Sequence, residues 1–183
     1  MEVTLTAIPG VIILKPKRFG DQRGYFTEVF NARRYSEAGI RGPFLQDNLS
    51  HSTRGVLRGL HFQQPDPQAK LVSAMRGAIL DVAVDVRVGS PTFGRHVAVM
   101  LSEDNGQQLF VPQGFAHGFI VLSDFADVFY KCDAFYCPQN ELVIRWDDPS
   151  LAIDWRLPNP ILAERDKNAP LLAHIRNLPS YTV

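Results

Sequence analysis

The sequence predicts an all-β chain, a double-sheet jelly-roll barrel with a few short peripheral helices. Three observations carry that prediction. Short apolar runs recur along its 183 residues, and Gly and Pro, thirteen of each, fall between them as turn signals. Many runs alternate, as in Asp81-Val-Ala-Val-Asp-Val-Arg87, the period of a strand whose two faces differ. Many short strands imply a sandwich or barrel, and this length suits one jelly roll spanning 1–183 as one domain.

The expected strands follow in order. Residues 11–14 (Val-Ile-Ile-Leu) are a short apolar run, and 24–30 combine aromatic and β-branched residues. A short helix is expected over 33–38 (Arg-Arg-Tyr-Ser-Glu-Ala), ended by Gly39. Strands then read over 44–49, 55–62, 71–75 and 78–88, the last being the alternating run above. Further strands read over 96–101, 108–111, 116–122, 127–133 and 142–146. The tail from 158 is Pro-rich, with room for one or two helical turns.

The hydrophobic fraction of 45% is ordinary for a globular chain, and the formal net charge is zero. A neutral chain gives no electrostatic case for nucleic acid or an anionic membrane surface. No apolar run approaches the roughly 20 residues of a membrane span, and the first residues lack the pattern of a signal peptide. Cys132 and Cys137 are too few for a disulfide framework and lack zinc-site spacing. Buried or inert thiols in a reducing cytoplasm are the expectation.

The chemistry gathers around Gly55-Val-Leu-Arg-Gly-Leu-His-Phe-Gln63. Lys70, Pro112-Gln-Gly-Phe-Ala-His117 and Tyr130-Lys-Cys132 lie downstream. A base, cations and a phenol on short strands suggest proton chemistry in a barrel-mouth pocket. Arg58 and His61 have opposite strand parity, so a bulge at Gly59 is expected to re-aim one of them.

Two segments resemble the paired motifs of the cupin superfamily. In the first, Gly55 is followed after five residues by His61, then Gln63, Lys70 and Gly77. In the second, Gly106 is followed after five residues by Pro112, then Gly114 and His117. Metal-binding cupins carry His at the Gln63 position and Glu at the Lys70 position. Gln is a weak ligand and an ammonium repels a divalent cation, so the expectation is no metal and no cofactor.

The chain as a whole resembles the dTDP-4-dehydrorhamnose 3,5-epimerase family. The resemblance runs through Asp21-Gln-Arg-Gly-Tyr-Phe-Thr-Glu28, Gln46-Asp-Asn48, Arg54 to Gln63, Lys70-Leu-Val and Gly89-Ser-Pro-Thr-Phe-Gly94. It continues through Phe110 to Phe119, Tyr130-Lys-Cys, Tyr136, Glu141, Ile144-Arg-Trp-Asp-Asp-Pro149 and Pro160-Ile-Leu-Ala-Glu-Arg-Asp166. It implies inversion of C3 and C5 of dTDP-4-keto-6-deoxyglucose, both next to the C4 ketone, in dTDP-L-rhamnose synthesis.

It also implies His61 as base, Asp166 as its orienting carboxylate, Tyr130 as acid on the opposite face and Lys70 beside the C4 oxygen. Arg23, Phe26, Glu28, Gln46, Asn48, Arg58, His117, Tyr136, Glu141 and Arg165 match positions that hold the nucleotide, diphosphate or sugar. A homodimer follows from the resemblance, its N-terminal strands crossing so that Arg23, Phe26 and Glu28 serve the neighbouring pocket. Two positions depart from the family pattern: Ala163 where Ser is expected, and Arg165 where Lys is common.

These residue types suit the reaction. A proton next to a ketone lies roughly a dozen pKa units above an imidazolium, about 16 kcal/mol at about 1.36 kcal/mol per unit. A histidine alone cannot close that gap, so a fixed cation such as Lys70 must steady the enolate oxygen. Inversion needs a second group on the other face, and a phenol is acidic enough to protonate an enolate carbon. Phe26 and Tyr136 can flank a thymine, and the arginines can fork onto phosphate.

Relatives that invert only C3 or only C5 keep the same His, Tyr and Asp, so a mono-epimerase stays open. A ketoisomerase, a non-catalytic sugar-nucleotide binder and a metal-dependent cupin fit less well: Tyr130 and His61 are present, and Gln63 and Lys70 replace ligands.

Overall fold

The computed structural model describes residues 1–182. In chain order the strands are β1 (Glu2–Leu5), β2 (Ile12–Lys15), β3 (Arg18–Asp21), β4 (Gly24–Thr27), β5 (Gln46–Thr53), β6 (Leu57–Gln63) and β7 (Lys70–Arg76). They continue as β8 (Ala78–Asp85), β9 (His96–Ser102), β10 (Gln108–Val111), β11 (Phe115–Val121), β12 (Phe125–Cys132) and β13 (Glu141–Val143). Helix α1 covers Ala32–Glu37 and α2 covers Glu164–Lys167.

The strands form a six-stranded sheet, β1-β2-β10-β7-β12-β5, and a five-stranded sheet, β13-β6-β11-β8-β9, with β3-β4 as a separate hairpin. Every ladder is antiparallel, as a jelly roll requires. No helix among the described residues is long and apolar enough to cross a membrane.

One core lies between the sheets. Val72, Leu109 and Val128 from the first sheet meet Ile79, Phe115 and Phe119 from the second. The outer face of the second sheet is apolar as well, through Leu57, Leu60, Val82, Val84 and Ile120. The chain after β13 covers it with Leu151, Trp155 and Leu172. Burying both faces explains why 78–88 reads as nearly continuous apolar sequence. The covering segment is held to the barrel at Leu57, whose N–H donates to the Ile161 carbonyl at 2.9 Å. That tie carries α2 to the pocket rim. On the first sheet, α1 packs Tyr35 over Ile12, Leu14 and Leu71.

Most expected strands are present, with shifted ends. The run at 24–30 stops at Thr27, because Asn31 caps α1 by accepting from the Arg34 N–H. The run at 44–49 starts at Gln46 and continues to Thr53, paired along its length with β12. Its polar residues disguised it: Gln46, Asn48 and Ser50 line a cavity rather than facing solvent. The 78–88 run ends as a strand at Asp85, where the carboxylate turns back to Arg87, and 142–146 is the three-residue β13. β1 and β3 lie outside the expected set; both are largely exposed and carry little apolar periodicity.

The bulge expected at Gly59 is present. From the His117–His61 pair to the Phe119–Arg58 pair, β11 advances two residues and β6 three. Leu57, Leu60 and Phe62 therefore point outward together. Arg58 and His61 both point inward. Only glycine fits there: at φ 143° a Cβ would lie 2.5 Å from Gly118 Cα.

Candidate active site

A cavity of about 600 Å³ opens between the sheets at one end of the barrel. Its walls have distinct origins. β6 and β11 of the second sheet supply Arg58, His61 and His117. β7, β12 and β5 of the first sheet supply Lys70, Tyr130, Asn48 and Gln46. Tyr136, Glu141, Arg165 and Asp166 close the rim. His61 and Tyr130 thus stand on opposite sheets, facing one space.

His61 is only partly accessible. Its Nε2 lies 2.8 Å from Asp166 Oδ1, while Nδ1 is 3.9 Å from Glu141 and makes no hydrogen bond. With an ionised Asp166, Nε2 carries the proton and Nδ1 keeps its lone pair for the cavity. Burial raises the Asp166 pKa, but the His61 hydrogen bond and charge, the Gly59 N–H and Arg165 outweigh it, so the net value is lowered. α2 brings this carboxylate in from 105 residues downstream of His61.

Tyr130 sits across the cavity, its pKa raised first by desolvation and then by neighbouring Cys132, with Arg58 opposing. It therefore stays a neutral phenol into the alkaline range. Lys70 shows the reverse: desolvation lowers its pKa, against the opposing influence of Cys132, Glu141 and Asp81. At the rim, Tyr136 donates to Glu141 at 2.9 Å, and Arg165 pairs with the same carboxylate. This couples the surroundings of His61 to a half-exposed aromatic.

The donor set does not fit a metal. Gln63 is buried and turned to the backbone: its Nε2 donates to the Asp66 carbonyl at 2.9 Å and its Oε1 accepts from the Cys137 N–H at 2.8 Å. Lys70 brings a cation where a cupin would need an anion.

A family model described as dTDP-4-dehydrorhamnose 3,5-epimerase matches residues 5–174. The chain belongs to that family. Curated members include the enzyme of Pseudomonas aeruginosa, 50% identical over 175 residues, covering 94% of this chain and 97% of the relative. The dTDP-4-dehydrorhamnose 3,5-epimerase of Shigella flexneri is 52% identical over 92% of this chain and 94% of its own. Among solved structures, a dTDP-6-deoxy-D-glucose-3,5-epimerase from Legionella pneumophila, in complex with dTDP-4-keto-L-rhamnose, superposes with a TM-score of 0.97. It is 49% identical and covers 100% of this chain and 99% of that one. A 3'-monoepimerase from Streptomyces bikiniensis, in complex with dTDP-quinovose, has a TM-score of 0.91 at 38% identity, covering 96% and 92%.

Within this epimerase-family chain, three expected residues stand apart from the cavity. Arg23, Phe26 and Glu28 sit on or just after the β3-β4 hairpin. Arg23 pairs with Asp21, Glu28 pairs with Arg34, and Phe26 is 70% exposed. Asp81 is the opposite case, a site residue absent from the expected set. It is fully buried on β8, with Oδ1 2.7 Å from His117 Nε2. Its signal was an acid inside an apolar strand, in the alternating run that also holds the structural Asp85.

Proposed function

We propose that the protein inverts C3 and C5 of dTDP-4-dehydro-6-deoxy-D-glucose, giving dTDP-4-dehydro-L-rhamnose on the route to dTDP-L-rhamnose. Family membership supports the substrate class. The observation that carries the chemistry is the pair of opposed walls: the His61–Asp166 dyad on one, Tyr130 and Lys70 on the other.

In this mechanism His61 Nδ1 takes the proton from the carbon next to the ketone. Electrons move onto the C4 oxygen, which the Lys70 ammonium steadies in the partly dry cavity. Tyr130 then gives its proton to the same carbon from the other face, and exchange with solvent resets both groups. Repetition at the second carbon completes the double inversion. Tyr136 is suited to stack on the thymine, and Arg58 and Arg165 to contact the diphosphate. Gln46, Asn48, His117 and Glu141 complete the binding walls.

The same proposal makes residues 1–183 one catalytic domain working as a cytoplasmic homodimer. The β3-β4 hairpin, with Phe19, Tyr25 and Phe26 exposed, reaches the partner's pocket and delivers Arg23, Phe26 and Glu28 there. Mixing His61→Ala with Phe26→Ala subunits tests this. Activity regained in the mixed dimer supports exchange, and none regained rejects it.

A second reading, inversion at one carbon only, draws on the likeness to the Streptomyces 3'-monoepimerase. Proton exchange in heavy water separates the two. Deuterium entering at both C3 and C5 supports the double epimerase; entry at one carbon supports the mono-epimerase; entry at neither defeats both.

A further inference from the structure

Asp81 lies between the sheets, while its neighbours Leu80 and Val82 join the outer apolar cluster. Its Oδ1 bonds His117 Nε2 at 2.7 Å, and its Oδ2 is buried with no hydrogen-bond partner. A half-satisfied buried carboxylate is unfavourable, and an apolar side chain of like size would pack there without that penalty. The charge is therefore informative.

Two relationships aim it at the reacting centre. His117 is the direct cross-strand partner of His61. By accepting a hydrogen bond from His117 Nε2–H, Asp81 leaves Nδ1 as the free nitrogen of a histidine that lines the cavity. Building on the epimerase function above, we propose that Asp81 is a positioning residue. Acting through His117, it presents Nδ1 to the substrate and sets a fixed negative charge near the Lys70 side chain. In that tautomer Nδ1 accepts, which suits a sugar hydroxyl, and Lys70 remains the donor toward the enolate oxygen.

Lys70 shares the cavity with Arg58 and His61 of β6, His117 of β11, Tyr130 of β12 and Glu141 of β13, and it pairs with Cys132 across the ladder. Asp81 and Glu141 are the carboxylates acting to keep Lys70 charged against its desolvation. Losing Asp81 makes the ammonium easier to deprotonate.

The near-isosteric Asp81→Asn protein tests this. Its kcat is expected to fall on the order of 10- to 100-fold, the size of losing one hydrogen bond to a charged group. KM rises as well, because Nδ1 loses its hold on the sugar hydroxyl, and the alkaline limb of kcat moves to lower pH. In the Asp81→Asn, His117→Gln double variant, the second change adds little to the first, because both break one unit.

Two readouts need no turnover. Nitrogen-15 NMR of the wild-type protein should find neutral His117 protonated at Nε2; protonation at Nδ1 instead overturns the proposal, whatever the variant does. Lysine Nζ signals should show Lys70 titrating at lower pH in Asp81→Asn. An unmoved Lys70 titration, or a lower kcat with an unmoved pH limb, also overturns it, leaving Asp81 as packing alone. Wild-type protein that exchanges neither C3 nor C5 defeats the epimerase function instead, while the NMR readouts still decide how Asp81 acts on His117 and Lys70.

Discussion

Arg58 and His61 lie three positions apart on one strand and still open on the same cavity, because β6 carries one more residue than its partner between them. Gly59 makes this possible. A Cβ there would press on Gly118 Cα at 2.5 Å and the His117 carbonyl at 3.1 Å. Gly59→Ala is expected to destabilise the fold by about 2–4 kcal/mol through overpacking and an unfavourable φ. Gly55→Ala, where a Cβ meets nothing within 4 Å, should lose only about 1 kcal/mol. Urea melts of the two proteins check the contrast, and equal losses would count against the bulge as the reason.

Tyr130→Phe should separate proton removal from inversion. His61 still takes the proton and returns it to the same face. Deuterium then enters with retention, while epimer formation drops roughly 10²- to 10⁴-fold, the usual contribution of a general acid. Comparing NMR exchange with product formation reads this directly.

Lys70→Met should lower kcat about 10²- to 10³-fold with the fold intact, the size of losing one oxyanion donor. In the wild-type protein the Lys70 pKa is lowered by desolvation and the Tyr130 pKa raised by it. Activity should therefore fall on the alkaline side as Lys70 loses its proton, at a pH below the ordinary lysine value. A kcat profile flat through that range would remove Lys70 from the electrophile's role.

Asp85 should govern acid stability. Desolvation alone would raise its pKa, but Arg87, Ser90 and Thr92 bonds bring it down to about 2 from 3.8. A lowered folded pKa means stability that is present above the unfolded value and lost as pH falls toward 2. The depression is worth about 2 kcal/mol. Asp85→Asn should lose about that much at pH 7, with the gap to wild type narrowing below pH 4, as thermal melts across pH would show.

Ala163 stands at the N-cap of α2 without a capping side chain, in extended backbone geometry. Ala163→Ser should restore a cap and stabilise by about 0.5–2 kcal/mol. Because α2 carries Asp166, kcat should hold or rise slightly; a Tm that falls would show that the cap does not form.

Local periodicity and turn residues made the barrel legible, because alternation and Gly/Pro punctuation are properties of neighbouring positions. β5 was only half legible. Its inner face is polar where it lines a cavity, and a sequence pattern cannot tell a wet cavity from solvent. The site divides in the same way. His61, Lys70, His117 and Tyr130 are legible because they sit in ordered motifs. Asp81 is not legible, since an acid in an apolar strand acquires meaning only through the partner it meets.

By itself the sequence determined the strand content, the family and the residue types available for proton transfer. Tertiary structure alone decided which of them meet. Asp166 reaches His61 because an apolar C-terminal segment folds over the outer sheet, and His61 opposes Tyr130 because the two sheets pack face to face. Arg23, Phe26 and Glu28 stay outside their own cavity because the β3-β4 hairpin, which bears or adjoins them, pairs with neither sheet of the barrel. Hydrophobic burial and strand pairing act over long chain separations, so these meetings are settled by packing and not by neighbours in sequence.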